Sequence, residues 1–164
     1  MRDQLDHYII RGGVEGRERL RVLARAMAPA TSALLGRIGI DAGSRCLGAG
    51  GGGDVTLELA RLTGTTGHVV GIDIDDLKLK IAREEAAAAG LGNVEYRQTD
   101  IDELGSDDRT FDVIYARFVL SHLSAPQSAL ETLARATRSG GIVAFLGTRK
   151  DAVSLRCAMR RASS

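Results

Sequence analysis

Short apolar runs and helical patterns alternate along most of the chain. The apolar runs have the length of buried strands and are bounded by glycine or aspartate, whereas the segments between them place apolar residues three and four positions apart. Strands that alternate with helices predict an α/β domain with a parallel sheet and right-handed crossovers. The five predicted strands cover residues 44–47, 68–75, 93–100, 111–120 and 141–148.

The first forty residues are predicted to be helical. An apolar stripe from Leu20 to Met27 has the spacing of an amphipathic helix, which Pro29 is expected to stop. A second short helix is predicted from about Thr31 to Gly39, where a hydroxyl N-cap and a glycine mark the two ends. Two roles stay open for these helices: packing against the following domain, or forming a lid over its ligand site.

Three further helices are predicted between the strands. The first follows a glycine run and covers Asp54 to Leu62, and the second has its N-cap at Asp75 or Asp76. The third begins at Pro126, whose ring is compatible with a first helical turn. Residues 138–141 are then predicted to form a turn into the fifth strand.

Residues 149–164 form a tail with five basic residues and one acidic residue. No sixth or seventh strand is predicted there. Either the tail forms a helix on the sheet, or the chain is truncated or ends in an altered reading frame. The fifth strand would then be an exposed edge, which favours the pairing of chains into homo-oligomers.

Length and composition fit one soluble globular domain. The chain has 164 residues, 44% of them hydrophobic, and its 22 basic residues nearly balance its 21 acidic ones. This balance gives no general attraction to nucleic acid or to a membrane surface. The two cysteines lack metal-ligand spacing, and neither a secretory signal nor an apolar run of membrane-spanning length is present. No metal site is predicted, and a reducing cytoplasmic compartment is expected.

A run of glycines between the first strand and the following helix is the main candidate for ligand binding. Glycines at positions 48, 50, 51, 52 and 53 leave no side chain beyond Cβ until Asp54. Glycine tolerates positive φ, and bare N–H groups that lead into a helix suit nucleotide-like groups. A flexible linker is the alternative, although the flanking strand and helix patterns favour a binding loop.

Acidic side chains are predicted at the same edge of the sheet as the glycines. Asp73 ends the second strand and Asp100 ends the third, while residues 115–117 end the fourth. In an open parallel sheet, ligands bind at the carboxyl ends of the strands, where one acid can accept from ribose hydroxyls and a second can meet an adenine edge. The alternatives are a helix cap for Asp73 and an ordinary turn residue for Asp100.

Together these segments resemble the class I S-adenosylmethionine-dependent methyltransferases, in the broad group that modifies small molecules. The matching segments are GAGGGGDVTLELA, VVGIDID, NVEYRQTD, FDVIYARFVLSHL and LARATRSGG, within about residues 45–146. The resemblance implies an α/β fold with a Rossmann-like, doubly wound, mostly parallel sheet of order 3-2-1-4-5, without the family's strands six and seven. It also implies three parts, namely an N-terminal helical cap over 1–40, a cofactor-binding domain over 41–148 and the tail over 149–164.

The resemblance implies S-adenosylmethionine as the cofactor and assigns eight residues to it. They are Gly48, Gly50 and Gly52 along the methionine and ribose parts, Asp73 at the ribose hydroxyls, Ile74 on the adenine, Asp100 and Ile101 at the adenine edge, and Ala116, whose backbone would face the methionine amino group.

Two positions differ from the family pattern. Cys46 stands where the first strand usually carries an acid, or Gly48 does if the loop is aligned differently, and neither offers a carboxylate. Loss of one hydrogen bond to a charged group would weaken cofactor binding by roughly one to two decades. Ser139 stands where the turn before the fifth strand usually has proline, a change expected to be tolerated because proline mainly stiffens the turn.

Methyl transfer requires little from the protein beyond positioning and electrostatics. His122 is the candidate general base by its type and pKa, with a purely structural role as the alternative. Arg117 either faces an anionic substrate or pairs with Asp112 or another surface acid.

The predicted function is methyl transfer to an unidentified small molecule. After the fourth strand the chain reads YARF, which differs from the Asn/Asp-Pro-Pro-Tyr pattern of the DNA amine methyltransferases, and the net charge is only +1. Both features argue against nucleic acid as the substrate. The alternatives are a degenerate relative without turnover and a nicotinamide-dependent oxidoreductase, whose fingerprint the glycine loop and Asp73 fit loosely.

Overall fold

The computed structural model describes residues 14–50, 53–105, 110–117, 123–146 and 152–156. The chain divides into two compact units, residues 1–37 and residues 38–164. Helix α1, Val14–Ile38, belongs to the first unit except for its last residue, and the second unit contains the sheet and the remaining helices. Within the described ranges, no helix combines the length and the apolar character needed to cross a membrane.

Helix α1 is continuous, so the prediction of two helices separated at Pro29 is wrong. Pro29 lies inside the helix, where it removes one backbone hydrogen bond and crowds the carbonyl one turn earlier. Residues 23–28 and 33–35 are all Ala, Leu, Met or Arg, which are the strongest helix formers. The helix therefore continues on both sides of the proline. The role of residues 1–40 as a cap stays a prediction.

Six strands form one sheet in the second unit. The strands are β1 Arg45–Ala49, β2 His68–Asp73, β3 Val94–Gln98, β4 Phe111–Arg117, β5 Thr137–Leu146 and β6 Ala152–Arg156. Their order across the sheet is β3-β2-β1-β4-β5-β6. Every pair among the first five strands is parallel, which confirms the expected α/β fold and the order 3-2-1-4-5.

The helices alternate with the strands as predicted. They are α2 Gly53–Thr63, α3 Asp76–Ala88 and α4 Pro126–Ala136, with a short 3-10 turn at Ile101–Glu103. The side chain of Asp75 caps α3 by accepting hydrogen bonds from the backbone N–H groups of Leu77 and Lys78, at 3.0 and 3.4 Å. Pro126 is the first residue of α4.

Strand β6 corrects the interpretation of the tail. Residues 152–156 pair antiparallel with β5, from Ala152 opposite Leu146 to Arg156 opposite Ile142. The prediction that strand six is missing is therefore wrong, the helical alternative for the tail does not hold over residues 152–156, and β5 is an inner strand. A strand of five residues is difficult to predict from its own sequence. It forms because it pairs with backbone groups of β5 that would otherwise be exposed.

The predicted turn at residues 138–141 lies inside β5 instead of before it. Thr137 pairs with Phe111 and Ile142 pairs with Val113, so five steps along β5 (137 to 142) match two steps along β4 (111 to 113). The extra residues form a bulge, in which Gly140 has a φ of +81°. Gly140 therefore provides the positive φ of a bulge and does not reverse the direction of the chain.

The two faces of the sheet pack against different helices. On one face, Leu47, Ile114 and Val143 join Leu133 and Ala136 of α4 in the hydrophobic core. Side chains alternate along a strand, so the neighbouring residues face the other side, where α2 and α3 pack against β2 and β3. The functional candidates lie on and beside this second face.

Candidate functional site

The glycine loop lies at the carboxyl end of the sheet. Strand β1 ends at Ala49 and α2 begins at Gly53, while Gly52 lies outside the described residues. Gly50 has a φ of +78°, a backbone conformation that side chains disfavour. Its N–H donates to the carbonyl of Ile72 at 3.0 Å, which fixes the start of the loop against the end of β2.

A pocket of about 390 Å³ opens beside this loop. The ends of β1, β2 and β4, the middle of β3 and the first turns of α2 and α3 line it, with Gly50, Asp73, Tyr96 and Arg117 among the lining residues. This volume includes space open to solvent, so the pocket is a cleft at the carboxyl ends of the strands.

Asp73 lies where the sequence placed it, at the end of β2 and in the pocket lining. Only 6% of its surface is exposed. Its Oδ1 accepts a hydrogen bond from the N–H of Asp75 at 2.9 Å, and Asp75, not Asp73, caps α3. The buried carboxylate of Asp73 is therefore held in place by the backbone that follows it.

The remaining predicted cofactor residues differ in their relation to the pocket. Gly48 and Gly50 line the pocket together with Asp73. Ile74, which is 41% exposed, and the half-buried Asp100 are not among its lining residues. The assignments of both to the adenine stay predictions.

Two predicted residues, Ile101 and Ala116, belong to the hydrophobic core. They are 5% and 1% exposed, so their side chains are enclosed by protein. Any contact with the cofactor would therefore come from their backbones, as the prediction for Ala116 states. The neighbours of Ala116 in β4, Tyr115 and Arg117, both line the pocket.

Arg117 pairs with an acid that the sequence did not single out. Its two terminal guanidinium nitrogens each donate to a different oxygen of Asp54, both at 2.8 Å. The side chains are 9% and 35% exposed. Asp112, the partner named in the prediction, lies at the opposite end of β4 and accepts from the backbone N–H of Arg45 and from Arg138. In the sequence, the position of Asp54 directly after the glycines could have indicated this pairing.

A pair of hydroxyl groups in the pocket also escaped sequence reasoning. Thr56 Oγ1 and the Tyr96 hydroxyl lie 2.7 Å apart. Glycines make room for both side chains: a Cβ on Gly48 would lie 2.6 Å from Thr56 Cγ2, and one on Gly71 would lie 2.7 Å from the Tyr96 ring. Gly48 pairs with Gly71, which pairs with Tyr96, so these residues form one row across the sheet.

The electrostatics of two buried groups follow from their surroundings. Burial raises the pKa of Tyr96, and the nearby carboxylates of Glu85 and Asp54 raise it further, while the hydrogen bond that Tyr96 shares with Thr56 acts in the opposite direction. Burial, with a smaller contribution from Asp112, raises the pKa of Cys46 to about 12. Cys46 is therefore a neutral thiol, which does not replace the family's carboxylate as an ionic acceptor.

The predicted base lies outside the described residues. His122 belongs to the segment 118–122, for which the structure gives no description, and its role stays a prediction.

Comparison with known proteins identifies the family. A family model described as a methyltransferase domain matches residues 40–159, well over half of the chain. The chain belongs to the methyltransferase-domain family. Its sheet order and its structural neighbours define it as a class I S-adenosylmethionine-dependent methyltransferase domain.

Curated relatives of this methyltransferase domain include ubiquinone/menaquinone biosynthesis C-methyltransferases, named UbiE. The protein from Idiomarina loihiensis is 42% identical over 99 residues, which cover 60% of this chain and 39% of the relative. The protein from Teredinibacter turnerae is 40% identical over 119 residues, which cover 71% of this chain and 48% of the relative. The chain thus spans less than half the length of these relatives.

Solved structures agree with the fold of the methyltransferase domain. A SAM-dependent methyltransferase from Aquifex aeolicus superimposes with a TM-score of 0.71 at 25% identity, covering 82% of this chain and 73% of the other. The [4+2]-cyclase SpnF superimposes with a TM-score of 0.66 at 28% identity, covering 74% and 44%. The same fold therefore also occurs in a protein named for a different reaction.

S-adenosylmethionine is the cofactor of this family, and the residues present fit it. The pocket combines an exposed glycine backbone at Gly50, a buried carboxylate at Asp73 and hydroxyl groups at Thr56 and Tyr96. These are acceptors and donors of the kind that a sugar, a purine and an amino acid require.

Proposed function

We propose that this methyltransferase domain binds S-adenosylmethionine and transfers its methyl group to a small molecule. One observation carries the proposal: the pocket unites the left-handed backbone of Gly50 with the buried carboxylate of Asp73 at the carboxyl ends of neighbouring parallel strands. Open α/β sheets bind nucleotide-like ligands at this edge. Membership of the methyltransferase-domain family supports the same cofactor.

The proposed mechanism assigns binding and orientation to the described residues. When bound, the cofactor supplies a methyl group activated by a sulfonium sulfur. Asp73 would accept hydrogen bonds from the ribose hydroxyls, and Gly50 would allow the ligand to approach the backbone closely. Arg117, held by Asp54, lines the pocket at the end of β4. Positioning of this kind can account for a large part of the rate of a displacement reaction. His122 is the proposed base for an acceptor that must lose a proton.

The acceptor class is suggested by the curated relatives. Two of them are named as C-methyltransferases of ubiquinone and menaquinone biosynthesis, so a quinone precursor with a carbon acceptor is the first compound to test. The proposed setting is the cytoplasm, without nucleic acid or membrane as partner. Pairing into homo-oligomers through a sheet edge would now involve β6 or β3, the two outer strands among the described residues.

A degenerate relative is the second candidate, because Cys46 removes a carboxylate that the family usually has. Calorimetry with S-adenosylmethionine, S-adenosylhomocysteine and NAD, followed by incubation with methyl-labelled cofactor and a quinone precursor, tests both. Micromolar binding of the first two ligands with transfer of label supports the proposal, and binding without transfer to any acceptor favours the degenerate relative. Binding of NAD alone would indicate an oxidoreductase and overturn the proposal.

A further inference from the structure

The hydrogen bond between the hydroxyl groups of Thr56 and Tyr96 has a defined donor and acceptor. Thr56 Oγ1 donates to the carbonyl of Gly53 at 2.9 Å. A threonine hydroxyl has one proton, so Thr56 must accept in its 2.7 Å contact with Tyr96. The Tyr96 hydroxyl is therefore the donor to Thr56. A phenolic oxygen that donates its proton still has lone pairs with which it accepts.

The Tyr96 hydroxyl lies close to the glycine loop. Tyr96 is in the middle of β3, but its ring crosses over Gly71, and its hydroxyl reaches Thr56 in the first turn of α2. Tyr96 and Thr56 both line the pocket. The Tyr96 hydroxyl is thus an acceptor in the pocket beside the loop.

The charges around this acceptor favour a cation. The carboxylate of Glu85 lies beside the glycine loop, since a Cβ on Gly53 would lie 3.4 Å from its Oε2, and it raises the pKa of Tyr96. The carboxylate of Asp54 also raises this pKa, and its charge is balanced by the ion pair with Arg117. Glu85 therefore contributes negative potential at the Tyr96 hydroxyl, and Lys78 lines the pocket from the first turn of α3.

We propose that the Tyr96 hydroxyl accepts a hydrogen bond from the α-ammonium group in the methionine part of the bound cofactor. This inference rests on the proposed function. The ammonium group is the one part of S-adenosylmethionine that is both cationic and an N–H donor, whereas the sulfonium has no proton to donate. Tyr96 would then supply, from β3, an acceptor for the amino-acid part of the ligand, in a site whose first strand has no carboxylate.

Two ligands separate this role from a general effect on the pocket. S-adenosylhomocysteine contains the ammonium group, and 5′-methylthioadenosine contains the same adenine and ribose without the amino-acid part. Tyr96→Phe keeps the ring over Gly71 and removes only the hydroxyl. We expect Tyr96→Phe to weaken S-adenosylhomocysteine binding by about 10- to 100-fold, the effect of losing a hydrogen bond to a charged group. Binding of 5′-methylthioadenosine should change by less than about twofold.

The matched control is Glu95→Gln, since Glu95 precedes Tyr96 in β3 and its side chain lies on the opposite face with His68 and Arg97. This variant should bind both ligands like the wild type, and thermal melts check that each variant is folded. Equal weakening of both ligands by Tyr96→Phe, or no weakening of either, would overturn the inference. If the wild-type protein binds neither ligand, the proposed function itself has failed.

Discussion

Arg117 at the end of β4 donates a hydrogen bond to each carboxylate oxygen of Asp54, both at 2.8 Å. Asp54 is the second residue of α2 and directly follows the glycine loop. The ion pair therefore joins the exit of the loop to the end of a strand 63 residues later in the sequence. A bidentate pair of this kind fixes orientation as well as distance.

Breaking this pair should destabilise the domain. Arg117→Met leaves the carboxylate of Asp54 without its partner, and Asp54→Asn leaves the largely buried guanidinium unmatched. Each single variant should lower the free energy of unfolding by about 1–3 kcal/mol, less than for a fully buried pair because Asp54 is 35% exposed. Urea unfolding of both variants and of the double variant measures the coupling. Additive losses would mean that the two residues do not interact in solution.

Asp73 should control cofactor affinity. Asp73→Ala removes the proposed acceptor of the ribose hydroxyls, so S-adenosylhomocysteine binding should weaken by about 10- to 100-fold in calorimetry. Asp73→Asn is the matched control, since it keeps an oxygen for the N–H of Asp75. It separates loss of the carboxylate from loss of the local backbone contact. Unchanged affinity in both variants would refute the ribose assignment.

A methyl group at Gly71 should disrupt the row of residues beneath the pocket. The added Cβ would lie 2.7 Å from Tyr96 Cδ1 and 3.1 Å from Thr56 Cγ2. Overpacking of this kind typically lowers the free energy of unfolding by about 1–3 kcal/mol. Gly92→Ala is the control, because a Cβ there meets nothing within 4 Å. Thermal melts of the two variants should differ clearly, and equal melting temperatures would show that Tyr96 moves aside without loss.

Cys46 should make stability sensitive to alkaline pH. Its pKa rises from about 9 to about 12 in the folded protein, so the folded state holds the thiol proton more tightly than the unfolded state. This contribution is fully present below about pH 9 and decreases as the pH rises toward 12, by about 1.4 kcal/mol at pH 10. Urea unfolding at pH 7.5 and pH 10 should show it in a Cys157→Ser background.

The comparison for this prediction is Cys46→Ala in the same background. This variant creates a small cavity at every pH, so its stability is lower throughout, but its loss between the two pH values should be smaller than that of its parent. Parallel losses in the two proteins would mean that the thiol does not titrate as described.

Local sequence patterns were sufficient to predict most of the helices and strands. The apolar runs of β2 and β4 are bounded by polar residues, and the helices between the strands have caps or proline at their starts, as Asp75 and Pro126 show. The order of the first five strands followed from the family resemblance and is confirmed. Asp73 was located because the end of a parallel strand fixes the position of its last side chain.

The sequence alone determined the alternation of strands and helices and the edge of the sheet that holds the pocket, because these depend on periodicity within each segment. Only the tertiary structure decided that Pro29 lies inside one helix, that 152–156 pair with β5, and which partners Arg117 and Tyr96 have. Those outcomes depend on distant groups: Asp54 is 63 residues from Arg117, and Thr56 is 40 residues from Tyr96. A side chain's local sequence sets its conformational preferences, but its hydrogen-bond partner is whichever group the folded chain brings within about 3 Å.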